Sequence, residues 1–333
     1  MHYSTQAETE DYRPRLIVWQ LTPAQETVTR RNGSSREVLT PNERHLILEG
    51  IARTAKPIVV LTGDHLPQRP DVFELVQYGI ALGLKMIVEG KPADFTAATM
   101  RQYSAFGPKI FRVIIDDAVK PGTGTRFDQG EEYEELEATV KMLRSCGFEL
   151  HLSVSIDHPD IRKLAVEHDY AFRRSASGFY CHLSIAGGGT RDQPGRDGED
   201  EIDGYIDAVA NLKLYSPTNM YYLSPQCVKY GYRHIGEEPV AVVERDEEGN
   251  VHEWRHWCLG GKTFAFITGE GIVKICAQLP ADDGDLRKCG YDFKKIWETS
   301  DSFRLLREGV HTCSQTRELS KAAMEHQSRR IDR

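Results

Sequence analysis

Short β-rich apolar runs alternate with helix-patterned runs through the first two thirds of the chain, and this alternation limits the fold more than any other feature. "RLIVWQL" is apolar enough for a buried strand, and "TPNERHLILEGIART" follows with a helix start at Thr40 and proline at the first helical position. The pattern recurs: "KPIVVLTG", then a helical "RPDVFELVQYGIALG"; "LKMIVEG", then "KPADFTAATMRQYSAF"; "KIFRVIIDDA", then "EEYEELEATVKMLRSCG". It continues through "FELHLSVSID", "HPDIRKLAVEHD" and "SGFYCHLSIAGGG" to "DEIDGYIDAVANL" and "NMYYLS". Such alternation means parallel strands with crossover helices, because parallel neighbours cannot be joined by a tight turn. About six repeats suit a partial parallel (β/α)6 barrel, an α/β fold whose function sits at the C-terminal ends of the strands. Strands are expected to begin near Leu16, Ile58, Leu84, Ile110, Glu149 and Tyr180.

From about residue 236 the texture changes. "EPVAVVERDEEGNVHEWRHW" reads as two strands around a polar turn at Glu247 to Asn250, and "KTFAFITGEGIVKIC" as two more around Gly269 to Gly271. One helix, "FKKIWETSDSFRLLREG", is expected next, so a small β-hairpin plus helix module is packed at the side of the barrel. The boundaries are 1–13 for an N-terminal tail, 14–235 for the barrel, 236–312 for the module and 313–333 for a polar tail. "GGGTRDQPGRDGEDE" reads as a long connection, since it lacks the Lys-Ser/Thr ending of a phosphate-binding loop.

Composition removes several function classes. A formal net charge of -8 over 333 residues argues against nucleic acid as a partner, which needs a basic footprint. No apolar run approaches the roughly 18 residues of a membrane span, and the N-terminus lacks a signal-peptide pattern. Seven cysteines spread thinly do not form a disulfide framework. The expectation is a cytoplasmic protein that binds neither membrane nor nucleic acid; its oligomeric state is not legible.

Three segments resemble the radical S-adenosylmethionine (SAM) proteins with a C-terminal SPASM/twitch extension, of the haem-biosynthesis and peptide-maturase type. They are "PRLIVWQLTPA", "KPIVVLTGDHLPQRPDVFELVQYGIALGLKMIVEGK", and the stretch from "WCLGGKTFAFITGEGIVKIC" to "FKKIWETSDSFRLLRE". The resemblance makes 14–235 a radical-SAM-like partial barrel and 236–312 a SPASM/twitch-like module. It also implies a cluster loop after the first strand with cysteines spaced C-x-x-x-C-x-x-C, and those positions hold Gln25, Thr29 and Asn32. Two amides and a hydroxyl are hard neutral donors, which cannot replace three thiolates on iron. The family's Gly-Gly-Glu turn, which grips the amino group of SAM, is Gly63, Asp64 and His65 here. The polar turn after the third strand is "VEGK". The resemblance therefore implies a degenerate member with no radical SAM cluster and an impaired SAM site.

Other residues carry a functional and a bland reading side by side. Asp116, with Arg112 and Ile114 on its face by alternation, lines the old active-site mouth or is a solvated strand end. His151, Ser153 and Ser155 alternate with apolar residues and are expected in the lumen, where polar groups serve a ligand better than a core. Asp64 and His65 form a simple turn or a new acid/base or metal pair. Cys258 and Cys276 match the family's auxiliary-cluster pair and are expected in two adjacent strands; Cys313 and Cys289 are the candidates to complete it. The alternatives are an auxiliary iron–sulfur cluster, a zinc ion, or buried thiols. Cys146, Cys181 and Cys227 show no ligand spacing.

Three functions remain open from sequence. One is a non-catalytic binding or assembly partner of a catalytic radical SAM maturase, or of a peptide or tetrapyrrole ligand. The second is an enzyme with a repurposed barrel mouth. The third, a divergent radical SAM or iron–sulfur maturase, is disfavoured because no C-x-x-x-C-x-x-C occurs anywhere in the chain.

Overall fold

The computed structural model describes residues 12–22, 37–116, 118–119, 130–156, 161–183, 221–223, 227–228, 242–245, 251–254, 257–277 and 284–308. The expected alternation is present: β1 (Leu16–Gln20), α1 (Pro41–Thr54), β2 (Ile58–Thr62), α2 (Pro70–Ala81), β3 (Lys85–Gly90) and α3 (Ala97–Phe106). It continues with β4 (Ile110–Ile114), α4 (Glu131–Ser145), β5 (Glu149–Ile156), α5 (Ile161–Arg173), β6 (Gly178–Leu183) and β7 (Tyr221–Leu223). Strands β1 to β7 lie side by side in chain order, and every neighbouring pair among them is parallel. This mixed α/β arrangement is compatible with a partial barrel.

Local chemistry explains the elements. The strands are runs such as "IVVLT", apolar on both sides of the pleat, as strands covered on both faces must be. Thr40 caps α1: its hydroxyl accepts from the Glu43 N–H, and the Glu43 carboxylate accepts from the Thr40 N–H at 2.8 Å. The sheet face that meets the helices is marked by rings. Phe111 of β4 packs edge-on against Tyr103 of α3, with ring centroids 5.2 Å apart. Phe179 of β6 meets His168 of α5. By alternation Arg112 and Tyr180 belong to the opposite face, termed here the inner face.

The later strands are β8 (Cys227–Val228), β9 (Val242–Arg245), β10 (Val251–Trp254), β11 (Trp257–Cys258), β12 (Phe264–Ile267), β13 (Ile272–Lys274) and β14 (Gly284–Asp285). Both expected hairpins form, β9 with β10 and β12 with β13. The second hairpin does more than pack at the side. β12 lies parallel to β1, Leu16 opposite Phe264 through Trp19 opposite Ile267, and extends the main sheet to ten strands. All four β12 residues are buried, which a strand inside a covered sheet requires.

Two expectations need correction. "FKKIWETSDSFRLLREG" is two helices, α6 (Phe293–Thr299) and α7 (Asp301–Arg307), broken at Ser300. Ser300 adopts extended geometry (φ -60°, ψ 125°), and its hydroxyl accepts from the Phe303 N–H, so it caps the second helix where the first ends. Nor do Cys258 and Cys276 occupy adjacent strands. β11 pairs with β8, setting Cys258 opposite Cys227, while β13 pairs with β12 and β14. The two cysteine segments meet instead where Gly260 packs on Ile275, so closely that a Cβ at 260 would lie 2.1 Å from the Ile275 side chain.

A clasp joins the late segment to α1. The Arg287 guanidinium donates to both Glu43 carboxylate oxygens, at 2.5 and 3.0 Å, and to the carbonyls of Glu37 and Val38. The Tyr291 hydroxyl donates to the same carboxylate at 2.8 Å. At the other end, the Trp297 indole N–H donates to the Tyr12 carbonyl and the Tyr12 hydroxyl to the Arg307 carbonyl.

Candidate functional site

Strand register builds a polar row across the inner face. Glu89 of β3 lies beside Arg112 of β4, Arg112 beside His151 of β5, and His151 beside Gly178 of β6. The Thr62 hydroxyl donates to Glu89 at 2.7 Å, and Arg112 donates to the other Glu89 oxygen at 3.3 Å. Arg112, 1% exposed, also lies over the Tyr180 ring, 3.7 Å from its centroid. His151 bonds through Nδ1 to the Tyr180 hydroxyl at 2.8 Å and through Nε2 to Glu149 at 3.4 Å. A carboxylate can only accept, so Nε2 carries the hydrogen and Tyr180 donates to Nδ1. Gly178 makes this possible: a Cβ there would stand 2.8 Å from both the His151 and Tyr180 rings.

Electrostatics follow from burial. Desolvation, with the Arg112 charge adding to it, pushes the His151 imidazole down to about 4 despite the Glu149 carboxylate. Glu149 itself is lowered, first by a hydrogen bond from Ser177. His151 is therefore a neutral hydrogen-bond relay at pH 7. Ser153 is 1% exposed and Asp116 half-buried. Arg112, His151 and Ser153 are thus all buried, Arg112 bonded to Glu89 and His151 to Tyr180 and Glu149. The Ser155 side chain lies outside the described residues.

The turns after β2 and β3 meet. Gly63 (φ 144°) leads to Asp64, whose N–H donates to the Thr22 hydroxyl at 3.0 Å. His65 is left-handed (φ 52°, ψ 29°). Its Nδ1 lies 2.6 Å from Oδ1 of Asp94, a residue of the "VEGKPAD" turn that sequence reading did not single out. The other Asp94 oxygen accepts the Lys91 N–H at 2.8 Å. Nothing in the local sequence of Asp94 marks it; its partner lies 29 residues away.

The cysteines are only partly in view. Cys276 is 6% exposed within the core, and Cys289 packs against that core. Cys313, Gln25, Thr29 and Asn32 lie outside the described residues, as does the Cys258 side chain. Among the described residues, no group of three His, Cys, Asp or Glu side chains is placed to hold a metal ion. The residue types at 25, 29 and 32 do not fit an iron–sulfur cluster, because none is a thiolate. His65 does not fit the carboxylate role of the family's turn either, since an imidazole offers no anionic oxygen.

The fold defines a class: an α/β protein whose first seven strands run parallel, with a polar row across one face of the sheet. No family model matches the chain. It is 25% identical over 306 residues to the AdoMet-dependent heme synthase of Methanosarcina barkeri, covering 89% of this chain and 85% of that protein. The protein of the same name from Nitratidesulfovibrio vulgaris is 22% identical over 315 residues, covering 90% and 83%. Among solved structures, Streptococcus suis SuiB bound to S-adenosylmethionine superposes with a TM-score of 0.58 at 12% identity, over 89% of this chain and 68% of that one. Sequence and fold together support placing the chain in the radical SAM superfamily. No helix among the described residues is long and apolar enough to cross a membrane.

Proposed function

We propose that this chain is a radical SAM-fold protein that has given up reductive cleavage of SAM and works as a binding or assembly partner in haem or peptide maturation. The observation that carries this reading is the donor set Gln25, Thr29 and Asn32, which offers no thiolate where the family needs three. The pathway follows from the relatives, named AdoMet-dependent heme synthase, and from SuiB, solved also with precursor peptide SuiA. Its partner is then a catalytic radical SAM protein, or a peptide or tetrapyrrole held at the strand ends. Cys258, Cys276, Cys289 and Cys313 remain the candidate ligands of an auxiliary iron–sulfur cluster, with a zinc ion as the alternative occupant.

Anaerobic reconstitution with iron and sulfide, then dithionite and SAM, tests the central claim. No 5′-deoxyadenosine is expected above a no-protein control, while a relative with all three cysteines produces it under the same conditions. Turnover by this chain would overturn the reading. Iron and sulfide retained through gel filtration, and lost in Cys276→Ser, would separately establish the auxiliary cluster.

A further inference from the structure

The geometry points to His65 as a proton-transferring residue, oriented by Asp94, for a ligand that presents an acidic O–H or N–H group at the strand ends. The two turns that would grip SAM in the family's pattern, after β2 and after β3, both depart from it, and the departures meet each other. His65 comes from the first turn and Asp94 from the second, 2.6 Å apart.

Loops that had merely decayed would not sustain this arrangement. The Asp94 side chain is 4% exposed, and a buried carboxylate is costly unless its oxygens are bonded. Both are bonded here, one by the Lys91 N–H and one by His65. The left-handed backbone at His65 is a further cost, sustained where surrounding structure demands it. What these costs secure is a ring with one nitrogen anchored and 74% of its surface open to solvent.

The tautomer follows. Asp94 accepts, so Nδ1 carries the hydrogen and neutral His65 presents the Nε2 lone pair outward. In the proposed step Nε2 takes the proton of a ligand O–H or N–H, and the bonding pair stays on the ligand heteroatom. The imidazolium so formed keeps its Nδ1–H on Asp94, then returns the proton to product or solvent. No oxidant, reductant or metal is needed. A single imidazole suits a proton better than a cation, and among the described residues no three-ligand group completes a metal site here. This inference does not depend on the proposed loss of SAM cleavage.

The test is the reactivity of His65 toward diethyl pyrocarbonate in the intact protein, followed by peptide mass spectrometry across pH. The plateau rate, where the imidazole is fully neutral, is compared with that of N-acetylhistidine amide. His65 is expected to exceed the free imidazole by about tenfold, and Asp94→Asn to return it to the free rate, since an orienting carboxylate of this kind fixes the tautomer. Equal plateau rates for wild type and free imidazole would reduce the pair to a surface contact and overturn the inference. That comparison decides alone if Asp94→Asn does not fold. Protection of His65 by zinc ions at micromolar concentration would likewise overturn it, in favour of a metal site.

Discussion

His151 is held where a proton is difficult to keep. Its folded value is pushed down to about 4 by burial and by Arg112, whereas an imidazole in the unfolded chain titrates near about 6.5. The unfolded state therefore binds the proton more tightly, and stability falls as pH drops through that window, by roughly 3 kcal/mol in total. Thermal melts between pH 7 and pH 4.5 should show this loss, and His151→Gln should flatten it; unchanged slopes would assign the titration elsewhere. Alternation in the sequence placed His151, Ser153 and Arg112 on one face, so this much was legible. Glu89, Tyr180 and Gly178 were not, because each meets the group from another strand. Asp94 was hidden for the same reason. A buried carboxylate announces itself through its partners, and those become neighbours only in the fold.

At the scale of elements, α1 and the Arg287 segment act as one unit. The Arg287 guanidinium on Glu43 is the main cause holding that carboxyl far below the usual carboxylate range, with Thr40 and Tyr291 assisting. A depressed carboxylate stabilises above its unfolded value, near 4.5, and the contribution is lost as pH falls further. The window lies below that of His151, so acid melts of the two variants separate them. Glu43→Gln should lower the urea midpoint by an amount equivalent to about 1–3 kcal/mol, with the m-value unchanged. An unaltered midpoint would mean that Arg287 holds the segment through the Glu37 and Val38 carbonyls alone. The start of α1 was readable from Thr40 and Pro41, and Glu43 completes the same cap. The break at Ser300 was not: serine is tolerated inside a helix, and the choice to cap instead depends on where Phe303 must pack. Phe303 is fully buried against Trp297.

For the whole molecule, the decisive pairing is β1 with β12. Strand β1 has neighbours on both sides, β2 and β12. Removing residues 257–333 would leave one edge of β1 open, with apolar side chains on both faces. Exposed edges of this kind template aggregation, so the truncated chain is expected to be insoluble or to elute as large oligomers. A monomeric fragment with a cooperative melt would show that the first strands stand without the late hairpin. Sequence pattern identified "KTFAFITGEGIVKIC" as a hairpin but could not say which edge receives it, since parallel pairing at that distance leaves no local mark.

The same pairing has a consequence in time. Tyr12, just ahead of β1, bonds to Arg307 across 295 residues of chain. At ribosomal speeds of roughly 5–20 residues per second, β1 waits on the order of 12–50 s between its own synthesis and the arrival of β12 at its other edge. Contacts so distant in sequence are also slow to close once both ends exist. The nascent chain thus carries an open, apolar first strand for most of its synthesis, and this is the interval in which a chaperone that holds extended segments would matter most to its yield.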